Sequence, residues 1–291
     1  ENTFINTNSK SGGVAFQKQY FNLFPLLSID YEASKNNTFS ISYNRRVDRP
    51  DGNSFNTFRQ FRSLLTSQRG NPYLQPQYLH SFDLTYSYKT WLNHTLAYSR
   101  TGSPMINYNI QNDSSKTTIS TSTNLLWANY YGYTLFIQKD IFKWWSVNLN
   151  ATVFHIKAYG IVNDIPYTSL TTAFNPGLYS RITLRENFSI ELNSFYLTPY
   201  LEGVMHYAPR NLVNITFKKS FLNEKLSIAL AFNDIFNGLQ LRTSFNYQNQ
   251  RSYGVQTLDS RRINLSINYN FGKLKVEQRE IKDKDPIQMG K

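Results

Sequence analysis

The 291-residue sequence contains no cysteine and no long apolar run. The absence of cysteine excludes a disulfide scaffold, a thiolate metal site and a cysteine nucleophile. The longest apolar runs are short segments such as residues 24–27 and 125–128. A membrane-spanning helix needs about 20 consecutive apolar residues, so the sequence also excludes a helical membrane protein.

Charged residues are scarce as well, at 17% of the chain, although the formal net charge is +12. Uncharged polar residues fill the gap, and aromatic residues reach 16%, with 21 Tyr and 21 Phe. This composition is too aromatic for a disordered chain and too poor in helix formers for a helical bundle, which leaves β structure. The first residues do not have the pattern of a signal peptide, so we expect a mature chain or part of a longer one.

Apolar and polar residues alternate with a period of two in many segments, and no long segment repeats with the helical period. In residues 263–271, for example, Ile, Leu, Ile, Tyr and Phe occupy the odd positions, and Asn and Ser the even ones. This alternation predicts half-buried β-strands. The clearest segments are 38–44, 81–88, 92–99, 145–153, 181–185, 188–193, 213–218 and 263–271.

Three features favour an antiparallel transmembrane β-barrel over a soluble β-sandwich, the remaining all-β alternative. The polar positions hold mainly Asn, Ser and Thr rather than Lys or Glu, which suits a polar barrel interior. Aromatic residues cluster at strand ends, as in residues 86–88, 130–133, 144–145 and 269–271. Short and long connections alternate along the chain, as they do in bacterial outer-membrane barrels.

The connections also predict a strand count and an orientation. We expect short turns near residues 34–37, 90–93, 141–143, 186–187 and 222–224, and the longest excursion over residues 45–78. This gives about 12 strands: a partial strand at 1–8, another at 20–34, and five pairs ending with 225–250 and 258–272. Because bacterial barrels keep short turns in the periplasm, we expect the long loops outside the cell. Residues 1–273 are then barrel, and the basic tail 274–291 is periplasmic.

Several motifs resemble one known family. Residues 20–25 (YFNLFP), 42–50 (SYNRRVDRP) and 70–76 (GNPYLQP) look like the outer-membrane β-barrel family found in TonB-dependent receptors of Bacteroidetes. Residues 233–237 (NDIFN) and 261–273 (RRINLSINYNFGK) match as well, so the resemblance covers most of residues 18–273. It implies a 22-stranded barrel with an N-terminal plug and a TonB box. The strands found here would make about half such a barrel, so we expect the C-terminal portion of a longer receptor.

The resemblance implies TonB-dependent uptake of a nutrient through the outer membrane. The partners it implies are outer-membrane lipid and lipopolysaccharide, the TonB complex through a plug, and a candidate surface lipoprotein, but no nucleic acid. The alternative is a noncatalytic structural or surface-binding barrel of a secretion or adhesion assembly.

We expect no enzyme, cofactor or metal site, because the four histidines are isolated and no GxSxG or GxxxxGK motif occurs.

The long excursion after the first strand pair contains the candidate substrate-binding residues Arg59, Arg62, Arg69 and Tyr73. Arginine forms bidentate contacts with phosphate or carboxylate groups, so this loop is a candidate site for lipopolysaccharide or an acidic substrate. The alternative is solvated loop charge. Pro50, Gly70, Pro72 and Pro76 predict a compact loop fold, and residues 233–238 predict a bulge or bend within a long strand.

Overall fold

The computed structural model describes residues 2–7, 16–185 and 187–271, and the tail 274–291 lies outside this part of the chain. The described residues form 21 strands and one short 3-10 helix, Asn53–Phe55, and none of their helices is long and apolar enough to cross a membrane. In chain order the strands are β1 (Asn2–Thr7), β2 (Phe16–Phe21), β3 (Leu26–Ser34), β4 (Asn37–Asp48), β5 (Gln60–Phe61), β6 (Thr66–Gln68), β7 (Gln77–Tyr88), β8 (Leu92–Gly102), β9 (Met105–Asn112), β10 (Thr117–Asn124), β11 (Trp127–Phe142), β12 (Trp145–Val162), β13 (Ile165–Arg185), β14 (Phe188–Leu197), β15 (Tyr200–Glu202), β16 (Met205–Tyr207), β17 (Arg210–Phe221), β18 (Leu226–Asn233), β19 (Leu241–Tyr247), β20 (Gln250–Gln256) and β21 (Arg262–Tyr269).

Eleven strands form the main sheet, in the order β3-β4-β7-β8-β11-β12-β13-β14-β17-β18-β21, and every neighbouring pair is antiparallel. With β1, which pairs with β2 in a separate sheet, this gives the predicted count of about 12. The short turns at one end of the sheet lie where the sequence predicted them. We call this the turn end, and the opposite end the loop end.

Two predicted strands are broken in the structure. The segment 20–34 divides into β2 and β3, because residues 22–25, which end in Pro25, leave the ladder. The segment 225–250 divides into β18 and β19, which belong to different sheets. The break is held by Asp234, which is fully buried and whose carboxylate accepts hydrogen bonds from the backbone N of Gly238 (2.8 Å) and from Ser260 Oγ (2.6 Å). The final strand is also shorter than predicted, since β21 covers Arg262–Tyr269.

The register of the main sheet separates apolar from polar side chains across seven strands. One row of directly opposed residues is apolar: Ile29, Ile41, Leu84, Leu96, Tyr133, Val153 and Phe174. The adjacent row is polar: Asp30, Ser40, Thr85, Thr95, Thr134, Thr152 and Asn175. Because successive side chains of a strand point to opposite faces, each row marks one face of the sheet.

The apolar face is the exposed one. Ile41 is 54% and Leu96 is 56% exposed. A soluble sandwich buries such a face against a second sheet, whereas an outer-membrane barrel turns it toward lipid. On the polar face, hydroxyl groups pair across strands, as in Thr85–Thr95 (3.0 Å) and Thr134–Thr152 (2.9 Å). The fold is therefore an all-β outer-membrane barrel fold, and the sandwich alternative is excluded.

The outward face of β12 has the length of a bilayer. Trp145 lies at the turn end and His155 ten positions further on, with Val147, Leu149, Ala151 and Val153 between them on the same face. Ten residues extend about 33 Å along a strand, which becomes about 25 Å along the membrane normal at a tilt of about 40°. This is the height of the apolar band of outer-membrane barrels.

Beyond the loop end lie two small sheets, β5-β6-β10-β9 and β15-β16-β19-β20, of which only the β6–β10 pair is parallel. They pack around the ends of β12 and β13. The hydrophobic core identified among the described residues lies here and consists of Leu125, Ala158, Val162, Tyr167, Val204 and Phe245. The loop region, with the loop ends of β12 and β13, is therefore packed like a small soluble domain, whereas the rest of the main sheet has no such core in the described part of the chain.

Candidate ligand-binding cavity

The loop region encloses a cavity of about 700 Å³. Its walls come from the loop between β4 and β7, from β9 and β10, and from the turn between β15 and β16. The polar lining includes Asp51, Arg62, Arg69, Asn107, Tyr108, Asn109, Ser120, Ser122, Glu202 and Tyr207, and the apolar lining includes Ile106, Val204 and Phe245. The apolar residues connect the cavity to the core of the loop region.

The GNPYLQP motif builds the first wall. Gly70 N donates to Asn56 O and Asn71 N to Ser54 O, both at 2.7 Å. A Cβ at Gly70 would stand 2.6 Å from Ser54 O and 2.7 Å from the backbone of Asn56, so only glycine allows this close approach. The side chain of Asn71 donates to Ser122 O (3.0 Å), which ties the loop to β10.

Two of the four predicted site residues line this cavity. Arg62 donates to the side-chain carbonyl of Gln68, and its backbone N donates to Thr66 O at 2.9 Å. The backbone N of Arg69 donates to Ser120 O (3.0 Å). The loop and β10 thus place Arg62 and Arg69 along one wall.

The other two predicted residues lie outside the cavity lining. Arg59 donates from Nε to Ser67 Oγ (2.7 Å), and its guanidinium carbon lies 5.1 Å from the ring centroid of Phe61. These contacts give Arg59 a structural role in the β5–β6 hairpin. Tyr73 is 74% exposed, and its backbone N donates to Asn71 Oδ1 (2.9 Å). The structure therefore brings together Arg62 and Arg69 but not Arg59 and Tyr73.

The β9–β10 hairpin supplies side-chain amides. Asn107 Oδ1 accepts from Ser122 Oγ (2.6 Å), and Asn109 Oδ1 accepts from Ser120 Oγ (2.8 Å). Each pair joins directly opposed residues. The serines therefore occupy the amide oxygens, while neither amide NH₂ group has a hydrogen-bond partner among the described residues. These groups can donate to a ligand.

Tyrosines and carboxylates complete the lining. Burial raises the pKa of Tyr108, and the nearby negative charge of Asp164 raises it further, against the opposing effect of Arg69. Tyr108 is therefore protonated at neutral pH and can donate a hydrogen bond. Hydrogen bonds from the Ser54 side chain and backbone lower the pKa of Asp51. Tyr207 stacks on Tyr200 with ring centroids 4.6 Å apart.

The cavity suits a small polar ligand. Its lining combines Arg62 and Arg69 with Asp51 and Glu202, with side-chain amides and hydroxyls, and with several apolar residues. Pockets with an apolar base and a few placed polar groups are typical ligand sites. Among the described residues, no group of three or more His, Asp or Glu side chains is placed to hold a metal ion.

Sequence reasoning missed the residues outside the long loop, namely Asn107, Tyr108, Asn109, Glu202 and Tyr207. A signal exists for the first three, since Asn alternates with Tyr and Ile in residues 107–110 and faces alternating Ser in residues 120–122. Such a hairpin is polar on one face yet lies beyond the bilayer. No comparable pattern marks Glu202 or Tyr207, which lie on β15 and β16, two strands that pair with each other and, through β16, with β19.

Comparison with known families gives one match over most of the chain. The outer membrane protein beta-barrel family matches residues 1–269. No curated protein is significantly similar to the chain.

Several solved structures share the fold. The siderophore receptor PirA from Pseudomonas aeruginosa has a TM-score of 0.55 and 13% identity, covering 82% of this chain and 41% of the receptor chain. The ferric-catecholate import receptor Fiu from E. coli K12, in its closed form, has a TM-score of 0.57 and 17% identity, covering 93% and 40%. A chain of the FpvAI–pyocin S2 complex has a TM-score of 0.57 and 16% identity, covering 89% and 35%. The chain thus spans well under half the length of these relatives.

Proposed function

The chain belongs to the outer membrane protein beta-barrel family, and on this basis we propose that it is part of an outer-membrane receptor for TonB-dependent uptake of a nutrient. The observation that carries the proposal is the cavity lined by Arg62 and Arg69 at the loop end of a sheet whose other face is polar. A ligand bound there lies at the mouth of a polar passage. Binding and passage, rather than catalysis, are the roles that this arrangement supports.

The solved relatives support the same proposal. PirA is described as a siderophore receptor and Fiu as an import receptor, and each is about twice as long as this chain or longer. We propose that β3 and β21, the edge strands of the main sheet, continue into a barrel of about 22 strands. Such a barrel needs a plug to couple uptake to TonB. The motif set further supports a source among Bacteroidetes and a surface lipoprotein as a possible partner.

The cavity indicates the kind of nutrient. Two guanidinium groups, two amide NH₂ groups and the Tyr108 hydroxyl donate hydrogen bonds, so the ligand carries several acceptor oxygens. The carboxylates of Asp51 and Glu202 balance the arginine charges and can accept hydrogen bonds from hydroxyl or amine groups of the ligand. A polar, oxygen-rich small molecule fits this set better than an apolar one.

Orientation is part of the proposal: the loop end faces the medium, and the turn end and the tail 274–291 face the periplasm. Because the chain has no cysteine, a single introduced cysteine can be labelled specifically and reports the orientation directly. A cysteine at Ser63, in the long loop, should react with an impermeant maleimide on intact cells. A cysteine at Asn223, in the β17–β18 turn, should react only after lysis. The opposite labelling pattern would invert the topology.

The uptake proposal is tested by measuring which nutrients the cells remove from the medium. Mass spectrometry of spent medium should reveal a compound that wild-type cells deplete and cells lacking the gene do not. The double variant Arg62→Ala/Arg69→Ala should behave like the deletion, because it removes both cavity guanidiniums. The control Tyr73→Ala should behave like wild type, because this exposed side chain of the same loop does not line the cavity.

A strain without TonB should also lose depletion of that compound. Identical spent media from wild-type and deletion strains would contradict the uptake proposal and would favour a noncatalytic structural or surface-binding barrel in a secretion or adhesion assembly.

A further inference from the structure

The small sheet β15-β16-β19-β20 has two faces, and one of them borders the cavity that contains Arg62 and Arg69. Directly opposed residues of neighbouring strands share a face, and successive residues of a strand alternate between faces. Glu202, Met205 and Phe245 form one row of directly opposed residues, and all three line the cavity. The adjacent row therefore lies on the reverse face of the sheet: Leu201, His206, Ser244 and Tyr253.

All four residues of this reverse row line a second groove, which has a volume of about 380 Å³. Small-molecule sites typically have volumes of about 300 to 1,000 Å³. The lining also includes the apolar residues Leu170, Pro199 and Pro209. Among the residues that the structure describes, Tyr207 alone lines both the groove and the cavity. The second groove is therefore a separate pocket on the other side of the same sheet.

Four polar residues of the second groove are close neighbours. His206 and Ser244 are directly opposed, and so are Ser244 and Tyr253, which places the Cβ atoms of each pair about 5 Å apart. Arg242 also lines the groove and lies two positions before Ser244 on the same strand, hence on the same face. Arg242 is thus a diagonal neighbour of both His206 and Tyr253, at a spacing of about 7 to 8 Å that long side chains can bridge. The four side chains can surround one small ligand group.

The polar groups of the groove are available to a ligand. Nε and Nη2 of Arg242 donate to Gln240 Oε1 (3.2 and 2.8 Å), which orients the guanidinium and leaves its Nη1 group without a partner in the described part of the chain. The side chains of His206, Ser244 and Tyr253 form no hydrogen bond with another described residue. Within residues 2–7, 16–185 and 187–271, Arg242 also forms no ion pair. The groove therefore presents several donors and a positive charge that no described carboxylate balances.

We propose that the second groove is a binding site for a small organic carboxylate that carries an apolar ring. The carboxylate accepts hydrogen bonds from the Arg242 guanidinium and from the hydroxyl groups of Ser244 and Tyr253, all of which are suitable donors. The ring packs against the apolar part of the lining, to which Leu170 and Pro209 belong. An uncharged ligand would leave the charge of Arg242 unmatched. The site does not depend on nutrient uptake, because the groove and the cavity lie on opposite faces of the sheet.

The test uses 4-fluorobenzoate as the probe and a receptor chain that includes the further barrel strands, purified in mild detergent. Broadening of the fluorine NMR line measures binding of the probe to the receptor. The neutral analogue 4-fluorobenzamide has the same ring, so it separates recognition of the carboxylate from partition of the ring into detergent. Heat-modifiable mobility confirms that each variant is folded.

Arg242→Gln removes the guanidinium of the groove, and Arg251→Gln is the matched control. Arg251 is an exposed arginine on β20 of the same sheet and does not line the groove. Ser244→Phe is a second groove variant, in which an added ring fills the space at an exposed position.

We expect Arg242→Gln to bind 4-fluorobenzoate about tenfold more weakly than wild type, because it loses a charge-assisted hydrogen bond. Arg251→Gln should bind like wild type, and Ser244→Phe should lose binding. Equal broadening by wild type and Arg242→Gln would overturn the proposal, as would equal broadening of 4-fluorobenzoate and 4-fluorobenzamide by wild type. Similar losses in Arg242→Gln and Arg251→Gln would indicate general attraction to a basic sheet and would overturn it as well.

The carboxylate site and the uptake function can fail separately. Cells with Arg242→Gln should deplete the same nutrient from the medium as wild type, because the cavity is unchanged. Normal 4-fluorobenzoate binding by Arg242→Gln together with normal depletion would refute the carboxylate site and leave the receptor function standing. Specific binding of 4-fluorobenzoate by a receptor whose deletion changes no nutrient in the medium would support the site and refute the uptake proposal.

Discussion

Individual side chains of the main sheet lie in one of two environments according to their position along the strand. Thr95 belongs to the polar row, and its hydroxyl pairs with that of Thr85 at 3.0 Å. Leu96, the next residue, belongs to the apolar row and is 56% exposed. Exposure of a leucine side chain to water is unfavourable, whereas its exposure to the apolar lipid chains is favourable. The difference between neighbouring residues is therefore a direct test of the membrane assignment.

We expect Leu96→Arg to lower the free energy of unfolding by about 2 to 4 kcal/mol, because it places a cation in the apolar band. Thr95→Arg, one position away, should have a much smaller effect, since its side chain points to the polar face. Urea unfolding in lipid vesicles, followed by tryptophan fluorescence, measures both in a chain that includes the further barrel strands. Equal losses at the two positions would contradict the two-faced sheet.

At the scale of elements, specific polar and backbone contacts hold the loops in addition to the small hydrophobic core of the loop region. The loop between β4 and β7 closes on β10 through the backbone of Gly70 and the side chain of Asn71. The tips of two hairpins also meet, because Asp113 Oδ2 accepts from Asn249 Nδ2 at 2.9 Å. Both contacts are accessible to single substitutions.

Gly70→Ala should release the loop, because its Cβ would stand 2.6 Å from Ser54 O, and the backbone of the loop would have to shift. Overpacking of this kind costs about 1 to 3 kcal/mol. Gly52→Ala is the matched control, since a Cβ at Gly52 meets nothing within 4 Å. Limited proteolysis should cut residues 49–76 faster in Gly70→Ala than in wild type or Gly52→Ala. Unchanged cleavage would show that the close approach does not hold the loop.

The contact between the hairpin tips should depend on pH. Hydrogen bonds from Gln111 and Asn249 lower the pKa of Asp113 in the folded state. A lowered pKa means that this contribution is fully present above the unfolded value of about 3.9 and is lost as pH falls through the folded value. Spin labels at Ser114 and Gln248, introduced as cysteines, should therefore show a single short distance at neutral pH and a broader distribution in strong acid.

In Asp113→Asn the same label pair should give a distribution that does not change with pH, because no carboxylate is left to titrate. Acid broadening that persists in this variant would assign the effect to another group.

At the scale of the whole molecule, the main sheet has two edges. β3 and β21 each have one hydrogen-bonded neighbour among the described residues. Both edge strands are exposed along their described length. Backbone groups left unpaired in hydrocarbon cost several kcal/mol each, so these edges need partners within a membrane.

We therefore expect that residues 1–291 produced alone will not insert as a stable, heat-modifiable monomer, whereas a chain supplying further barrel strands will. Gel mobility before and after heating, in detergent and in lipid vesicles, distinguishes the two. Recovery of a closed monomer from residues 1–291 would show that β3 and β21 can pair with each other, and would refute the larger barrel while leaving the membrane assignment intact.

The amino-acid sequence by itself determined the strand class, the turns and the two faces of the main sheet. These properties are local. The alternation at residues 92–99 already separates Thr95 from Leu96, and the turn at Lys35 and Asn36 ends a strand whatever the rest of the fold is. The same local reading found the loop that contains Arg62 and Arg69 and predicted that its glycine and prolines would make it compact.

Only the tertiary structure decided which loop residues share a cavity and where long strands break. Arg69 lies close enough to Tyr108 to affect its pKa because β10 pairs with both β6 and β9. Glu202 and Tyr207 reach the cavity through a pairing between distant segments. Such contacts depend on long-range hydrogen-bond register, and local alternation fixes the face of a residue but not its partner on the next strand.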